Sequence, residues 1–262
     1  DAFTRALELA PEQSGALAGK AWHTVRTRWD WRAAEELYLR GVRHDDRDVF
    51  ALDFYAALQL TPTGRVDEAV SVYRRALESD PFNTLLGWDL AWILMMDGRP
   101  DEGLIEVDRV LAVTPDYPWG LALRAWALAE EGRLDELPAA LEQAPDDDDE
   151  LVIMMRLLAH HALGDREAVV RLTDRLRDLV DTRPSAQVLL AWALVGIGEV
   201  EEGLVALEEA IDRGVFQVVF SRVYLGRDPA VRDEPRFQAA LESMRLDDES
   251  LREQGFTVAH PP

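Results

Sequence analysis

Apolar positions recur with the period of an α-helix through Thr84–Pro115, and this stretch is the pattern for much of the chain. Its regularly spaced small and apolar residues mark the inner faces of two predicted helices: Leu90, Ala91, Leu94, Gly103, Val107 and Val110. Gly98 lies between the two helices, where it can adopt the left-handed conformation that ends a helix. Pro115 cannot continue the second helix. The stretch therefore predicts an antiparallel pair of helices joined by a tight turn.

The same helix pair recurs along the chain. The predicted turn glycines are separated by 34, 34, 32 and 34 residues: Gly64, Gly98, Gly132, Gly164 and Gly198. Small residues that allow helices to approach closely repeat on the first helices: Ala57, Ala91, Ala125 and Ala191. They also repeat on the second helices: Ala34, Ala69, Gly103, Ala168 and Gly203. A regular period that carries a two-helix unit predicts a helical solenoid.

These positions resemble the tetratricopeptide repeat (TPR). The resemblance rests on the small residue before the turn, on the spacing of Ala69 and Tyr73 after it, and on closing prolines such as Pro81 and Pro115. It covers about residues 1–246. It implies an all-α fold, a right-handed superhelical solenoid of antiparallel helix pairs with about six repeats and end caps.

The repeat pattern also predicts boundaries. We assign a half repeat to residues 1–11, repeats to 14–46, 49–81, 84–115, 118–145, 150–181 and 184–214, a C-terminal cap to 215–246, and a loose tail to 247–262. An extra residue in the second repeat is assigned to the loop Thr61–Gly64. Apolar residues at helical spacing predict a helix over Val215–Tyr224. Pro235 is expected to begin the capping helix that shields the end of the core.

Both ends suggest a larger protein. The chain starts at Asp1 rather than methionine, and its first residues have the pattern of the second half of a repeat. We therefore expect it to begin inside a longer protein, with removal of a signal peptide as the alternative. The ending from Asp228 to Ala239 resembles that of TPR regions attached to bacterial cyclases, Ser/Thr kinases and winged-helix regulators.

Composition narrows the classes of partner. The 50 acidic and 28 basic residues give a net charge of −22, which repels nucleic-acid backbones and anionic lipid headgroups. We expect no nucleic-acid partner. No apolar run approaches the roughly 18–20 residues that cross a bilayer, so membrane insertion is not expected. We expect a cytoplasmic location, with an exported mature chain as the alternative. The absence of cysteine excludes disulfides and thiol catalysis.

Signatures of catalysis and metal binding are missing from the sequence. It contains no Gly-x-Ser-x-Gly or His-Glu-x-x-His motif and no phosphate-binding glycine loop. The acidic run Pro145–Glu150 lacks the spaced ligands and central glycine of an EF-hand, and we interpret it as a linker that caps the next helix. The adjacent His160 and His161 point about 100° apart on a helix and do not converge on one ion. We predict no catalytic residue, no cofactor and no metal site.

Aromatic residues recur on the predicted first helices. Tryptophan directly follows the small packing residue at four positions: Trp22, Trp92, Trp126 and Trp192. In TPR proteins this side of the first helices lines the concave groove. The resemblance therefore implies an apolar groove formed by Phe54, Leu58, Trp88, Trp92, Trp119 and Trp126. Such a groove suits an extended peptide or an amphipathic helix. The alternative is that the tryptophans fill a tightly wound interior.

Two functional hypotheses follow from the sequence. The first is a non-enzymatic scaffold that holds a protein or peptide partner in the apolar groove. A clamp for carboxylate termini is not expected, because lysine and asparagine are missing from the groove positions. The second is a regulatory or sensory TPR region of a larger bacterial signalling or transcription-regulating protein, acting on an attached domain or by self-association.

Overall fold

The computed structural model describes residues 2–258, and this part of the chain contains helices and no β-strand. After α1 (Ala2–Leu9), helices follow in pairs: α2 (Ser14–Arg28) with α3 (Trp31–His44), α4 (Val49–Tyr55) with α5 (Val66–Ser79), α6 (Thr84–Met96) with α7 (Pro100–Val113), α8 (Pro118–Glu130) with α9 (Leu137–Gln143), α10 (Glu150–Ala162) with α11 (Arg166–Leu179), and α12 (Ser185–Gly196) with α13 (Val200–Asp212). The first helices of successive pairs contact each other, as α8 does with α6 and α10. The predicted all-α solenoid is confirmed.

Turns and caps agree with the local sequence. Gly98 and Gly198 follow first helices with φ of 75° and 91°, the left-handed region in which a side chain would be strained. Asp149 caps α10, since its Oδ1 accepts the backbone N–H groups of Leu151 and Val152 at 3.0 and 3.1 Å. The interpretation of the acidic run as a helix-capping linker is confirmed.

Small residues let the paired helices pack closely. A Cβ added to Gly103 would lie 3.3 Å from the carbonyl oxygen of Ala91, and one added to Gly203 would lie 3.0 Å from that of Ala191. Such distances leave little room for any side chain larger than hydrogen. The close approach predicted from the repeat pattern is confirmed in the third and sixth repeats.

The extra residue of the second repeat lies inside its first helix, so its assignment to the loop Thr61–Gly64 is wrong. A π-helical turn at Ala56–Leu60 continues α4, and the Thr61 N–H donates to the carbonyl oxygen of Ala56 at 3.0 Å. A π turn accommodates one additional residue without ending the helix. The fully buried small residue is consequently Ala56 rather than the predicted Ala57. Upstream of the turn the register shifts by one, and Asp53 takes the position that Trp88 has in the next repeat.

After α13 the chain continues through short helices: a 3₁₀ helix (Phe216–Phe220), α14 (Ser221–Tyr224), a second 3₁₀ helix (Leu225–Arg227), α15 (Pro229–Arg232), α16 (Pro235–Ser243) and α17 (Asp248–Glu253). The helix predicted over Val215–Tyr224 is therefore present, with its first part in the tighter 3₁₀ form. Pro235 begins α16 as predicted. We call Phe216–Arg227 the return segment, because it packs against helices that lie far earlier in the sequence.

The prediction of a loose tail from residue 247 is wrong for residues 247–256. Leu251 and Phe256 are buried. Gln254 accepts the backbone N–H of Trp31 through Oε1 at 2.9 Å, and the indole Nε1 of Trp31 donates to the carbonyl oxygen of Met244 at 3.0 Å. The C-terminal end therefore packs onto the first helix pair. Residues 259–262 of the predicted tail, and Asp1 of the half repeat, lie outside the described residues.

Candidate functional site

The predicted groove residues lie on one side of the first helices, and we call this side the first-helix face. Four of its tryptophans form one aromatic cluster. The Trp88 ring stacks on Trp92 with a centroid distance of 5.4 Å and an interplanar angle of 15°, and it lies 5.3 Å from Trp119. Trp92 continues the cluster to Trp126 at 5.8 Å. The structure therefore brings together four of the six predicted site residues.

Phe54 belongs to a second aromatic group. Its ring centroid lies 4.1 Å from that of Phe50 and 6.4 Å from that of Trp22. Leu58, in the π-helical turn, is half-buried, as are Phe54, Trp92 and Trp119. Trp88 and Trp126 are buried, with exposed fractions of 6% and 1%. The six predicted residues thus divide into two that belong to the core and four that remain partly accessible.

The return segment packs on first helices from both ends of the first-helix face. Its Phe216 ring lies 6.2 Å from that of Trp22 in the first repeat, and its remaining aromatic contacts are with the C-terminal half. The Tyr224 ring lies 5.8 Å from Trp126 and 5.4 Å from Trp192, and the Trp192 Nε1 donates to Ser221 Oγ at 2.8 Å. Val219 and Leu225 of the same segment are buried among the core side chains. The alternative in which tryptophans fill the interior therefore describes Trp126 and Trp192.

An arginine anchors the end of the return segment. Arg227 donates from Nη1 to the carbonyl oxygen of Met95 at 3.0 Å and from Nη2 to the Glu130 carboxylate at 3.2 and 3.3 Å. Its guanidinium carbon lies 4.8 Å from the centroid of the Tyr224 ring. The Trp126 Nε1 donates to the same Glu130 carboxylate at 3.1 Å. Arg227 is thus held by an acid and one aromatic ring, and Trp126 holds the same acid.

A pair of carboxyl groups lies on the other half. Asp53 of α4 and Asp89 of α6 lie close enough together for each to shift the pKa of the other, and the Tyr73 Oη donates to Asp53 Oδ1 at 2.8 Å. Burial raises the pKa of both aspartates. The nearby Asp53 charge raises the pKa of Asp89 further, while the hydrogen bond from Tyr73 lowers that of Asp53. Between residues 2 and 258, no arginine, lysine or histidine forms an ion pair with either carboxyl group. The two acids therefore favour a shared proton.

Sequence reasoning missed this acid pair. Under a constant repeat spacing Phe54 is the counterpart of Trp88, and Asp53 falls one position away from the groove. The π-helical turn at Ala56–Leu60 shifts the upstream register and gives Asp53 that position. The 35-residue spacing from Tyr38 to Tyr73 was the available signal, but it does not say where the extra residue lies.

Metal binding and membrane insertion are two further roles on which the described residues bear. Within residues 2–258, no three side chains of His, Asp or Glu lie close enough together to hold a metal ion. In that range, each helix is too short or too polar to span a lipid bilayer. The first-helix face therefore remains the candidate site.

Comparison with known proteins shows which residues match described repeat families. Two family models, both described as tetratricopeptide repeat, match residues 26–84 and 63–127. Cellulose synthase operon protein C of Pseudomonas fluorescens (strain SBW25) is 26% identical over 176 residues, which is 60% of this chain and 14% of that protein. The chain therefore spans only a small part of the length of this relative.

Solved structures that are similar to this chain have low sequence identity to it. The structure of PilW, described as a widely conserved type IV pilus biogenesis factor, is 16% identical with a TM-score of 0.51, over 87% of this chain and 98% of that chain. YrrB, described as a TPR protein with an unusual peptide-binding site, is 19% identical with a TM-score of 0.46, over 72% of this chain and 96% of that one.

Proposed function

Because the chain is a tetratricopeptide-repeat protein, we propose that it is a non-enzymatic scaffold that binds a segment of another protein on its first-helix face. The observation that carries the proposal is the partly accessible apolar surface of neighbouring first helices. Phe54, Leu58, Trp92 and Trp119 are half-buried there. Phe50 and Leu85 extend this surface with exposed fractions of 46% and 51%. Contiguous exposed apolar surface is typical of interaction sites.

The six site residues have two roles in this proposal. Phe54, Leu58, Trp92 and Trp119 contact the partner. Trp88 and Trp126 support them from below, since each packs against Trp92 while being largely buried itself. Removing apolar surface from water contributes ~25 cal/mol per Å². A partner that covers about 100 Å² of these rings therefore gains about 2.5 kcal/mol before the cost of its own ordering.

Affinity selection of random peptides displayed on phage tests the proposal. We expect the intact chain to enrich peptides that carry apolar anchors, extended or helical. Binding of a selected peptide, measured by calorimetry, should weaken by about tenfold in Trp119→Ala, because aromatic anchors dominate such contacts. Val170→Ala is the control, since Val170 is an exposed apolar residue on α11. Failure to enrich any peptide, or equal weakening by the control, would contradict the proposal.

A second candidate function is a regulatory region of a larger bacterial protein, in the cytoplasm, acting on an attached domain or by self-association. Its support is the match to a small portion of a far longer relative, together with the resemblance of residues 228–239 to the ends of regulatory TPR regions. The test is to express the full-length protein and measure the activity of any attached domain with and without Trp119→Ala. An unchanged activity and oligomeric state would contradict this candidate.

A further inference from the structure

An open pocket lies beside α10, away from the first-helix face. In α10, Leu158 has the place before the turn glycine that Trp126 and Trp192 have in their helices. Arg156 and His160 lie two residues to either side of it, about 200° around the helix, so they belong to another side of α10. We propose that this pocket binds a carboxylate, which the guanidinium of Arg156 holds with the imidazole of His160 beside it.

The pocket lies where the second helix of a repeat is short. α9 has 7 residues, whereas α7 and α11, the second helices of the repeats on either side, have 14 each. An open space of about 570 Å³ remains between α9, the segment that follows it, and α10. Leu141, Pro145 and Leu163 give this space apolar walls, and Arg156 and His160 line it from α10. The site therefore combines apolar surface with two side chains that can bind an oxygen ligand.

Arg156 is a buried cation without an acidic partner. Its exposed fraction is 8%, and its Nη1 donates to the carbonyl oxygens of Leu141 and Ala144 at 3.0 and 2.7 Å. No carboxylate among residues 2–258 forms an ion pair with it. The buried acids Glu35 and Glu106, by contrast, are each paired with an arginine. Removing a charge from water is costly unless an opposite charge or hydrogen bonds compensate for it, so Arg156 lacks what the buried acids have.

The remaining edge of this guanidinium has the geometry of a carboxylate site. Nε is buried without a hydrogen-bond acceptor, and Nη2, which solvent reaches, donates to no group in the described part of the chain. The N–H bonds of Nε and Nη2 run parallel on one edge of the planar group and match the two oxygens of a carboxylate. A carboxylate oxygen that binds Nη2 therefore brings the second oxygen beside Nε. Buried polar groups without a partner are rare, and this ligand would satisfy both nitrogens.

His160 gives the pocket a further unpartnered nitrogen. Its Nδ1 lies 3.0 Å from Asp165 Oδ2, and its Nε2 is buried without a hydrogen-bond partner among residues 2–258. Burial lowers the pKa of His160, and the hydrogen bond to Asp165 opposes this change. Charged groups surround the ring from each element of the pocket: Asp165 and Arg171 of α11, Arg156 of α10, Glu142 of α9 and Asp146. A bound carboxylate adds a negative charge that raises the pKa of His160, so binding takes up a proton.

A ligand with one negative charge fits this pocket better than one with two. The carboxylates of Glu142, Asp146 and Asp165 line it and would repel a phosphate dianion. Asp146 is ion-paired with Arg175, and Asp165 is hydrogen-bonded to His160, which leaves room for a single added charge. The net charge of −22 acts weakly at this site, since salt screens charges beyond about 8 Å. The ligand is a monocarboxylate with an apolar chain, either a free acid or the C-terminal residue of a peptide.

Titration of the intact chain with hexanoate and with hexanamide tests the proposal. The two molecules have the same apolar chain, and only hexanoate has a carboxylate. We expect hexanoate to shift the His160 ring signals in a nitrogen-15 correlation spectrum, assigned with His160→Gln, and to bind about tenfold or more tightly than hexanamide. A short peptide that ends in leucine, with a free or an amidated C-terminus, distinguishes the two sources. Tighter binding of the free terminus than of hexanoate indicates a peptide ligand, and weaker binding indicates a small acid.

Variants test the two side chains separately. Arg156→Lys retains the positive charge but lacks the guanidinium edge, and it should weaken hexanoate binding by about tenfold. Arg171→Gln, which removes an exposed positive charge near the same ring, is the control and should weaken binding by less than about threefold. The affinity of the intact chain should rise by up to about tenfold between about pH 8 and about pH 5.5. This rise should be absent in His160→Gln.

Three results would overturn the proposal. Equal binding of hexanoate and hexanamide would show that only the apolar walls bind, and no binding of either would show that solvent alone fills the pocket. Unchanged hexanoate binding in Arg156→Lys would show that the guanidinium edge holds no carboxylate. The comparison of the two ligands uses the intact chain, so it is decisive even if Arg156→Lys fails to fold. None of these results bears on the scaffold proposal, because the first-helix face lies on another side of α10.

Discussion

The two halves of the first-helix face carry similar side chains but differ in what covers them. On the C-terminal half, Trp126 and Trp192 are buried beneath Tyr224 of the return segment. Trp22 and Trp92, at the same position of earlier repeats, are only half-buried, and the Phe216 ring of the return segment lies 6.2 Å from that of Trp22. The same position in the repeat therefore gives a core residue in one place and a candidate contact residue in another. A segment that lies far along the chain decides between these outcomes.

The two halves also differ in whether their acids have an arginine partner. The chain supplies Arg227 to Glu130 on the C-terminal half. On α4 and α6, by contrast, the described residues supply no cation to Asp53 and Asp89. In our proposal, the half that Tyr224 buries is a stable support, and the half-buried side chains of the other half are the working surface. The following predictions test that division, beginning with the largest expected effect.

Truncation of a tryptophan should affect folding very differently in the two halves. Trp192→Ala removes a buried ring and its hydrogen bond to Ser221, and we expect it to lower the free energy of unfolding by about 3–5 kcal/mol. Trp119→Ala removes a half-buried ring and should cost roughly 1 kcal/mol. Urea denaturation followed by circular dichroism measures both. Equal costs would mean that the two halves are equally part of the core.

Arg227, which anchors the return segment, should contribute less to the free energy of unfolding than Trp192 does. Arg227→Ala removes hydrogen bonds to the Met95 carbonyl oxygen and to Glu130, and leaves both acceptors to water. We expect a loss of about 1–3 kcal/mol in the free energy of unfolding. The exposed Arg28 provides the control, and Arg28→Ala should change stability by less than about 0.5 kcal/mol. If Arg227→Ala changes the free energy of unfolding as little as the control does, the contacts of Arg227 do not hold the return segment in place.

The acid pair should make stability depend on pH. Asp89 has a raised pKa in the folded state, so its contribution is fully present below the unfolded pKa and is lost as the pH rises through the folded pKa. Asp89→Asn replaces the second acid with a neutral amide of the same shape, which removes the repulsion between two carboxylates. It should therefore be more stable than the intact chain near neutral pH, by about 1 kcal/mol.

Melting temperatures measured from about pH 4 to about pH 8 check this prediction, because titration elsewhere cancels in the difference between the two proteins. The advantage of Asp89→Asn should shrink toward acidic pH. Asp67→Asn, at an exposed position paired with Arg99, is the matched control and should show no such gain near neutral pH. A constant difference across the whole range would mean that the two acids do not share a proton.

Local rules were sufficient to predict the repeats. Gly98 and Gly198 end first helices with positive φ, and Gly103 packs against the helix before it, as the spacing alone indicated. These features depend on residues within one helix pair. The acid pair depends on where one extra residue sits, and a π turn at Ala56–Leu60 and a longer loop have the same length in the sequence.

The return segment and the C-terminal contacts could not be predicted in this way. Trp31 is hydrogen-bonded to Gln254 and Met244, more than 200 residues away in the chain. Repeat spacing describes neighbouring helices and carries no information on such distant contacts. The packing of Tyr224 on Trp126 is another contact between residues far apart in the sequence. For this reason, the sequence could identify the tryptophans as candidates but could not show which of them are buried and which remain partly exposed.

The central claim is that a partner binds the half-buried side chains of the first-helix face while the return segment stays in place. Tryptophan indole N–H signals in a nitrogen-15 correlation spectrum, assigned by single Trp→Phe variants, test it during titration with a selected peptide. The account predicts that the signals of Trp88, Trp92 and Trp119 shift, while that of Trp192, hydrogen-bonded to Ser221, does not. Movement of the Trp192 signal, with those of Trp92 and Trp119 unchanged, would show that the peptide displaces the return segment instead, and would contradict the account.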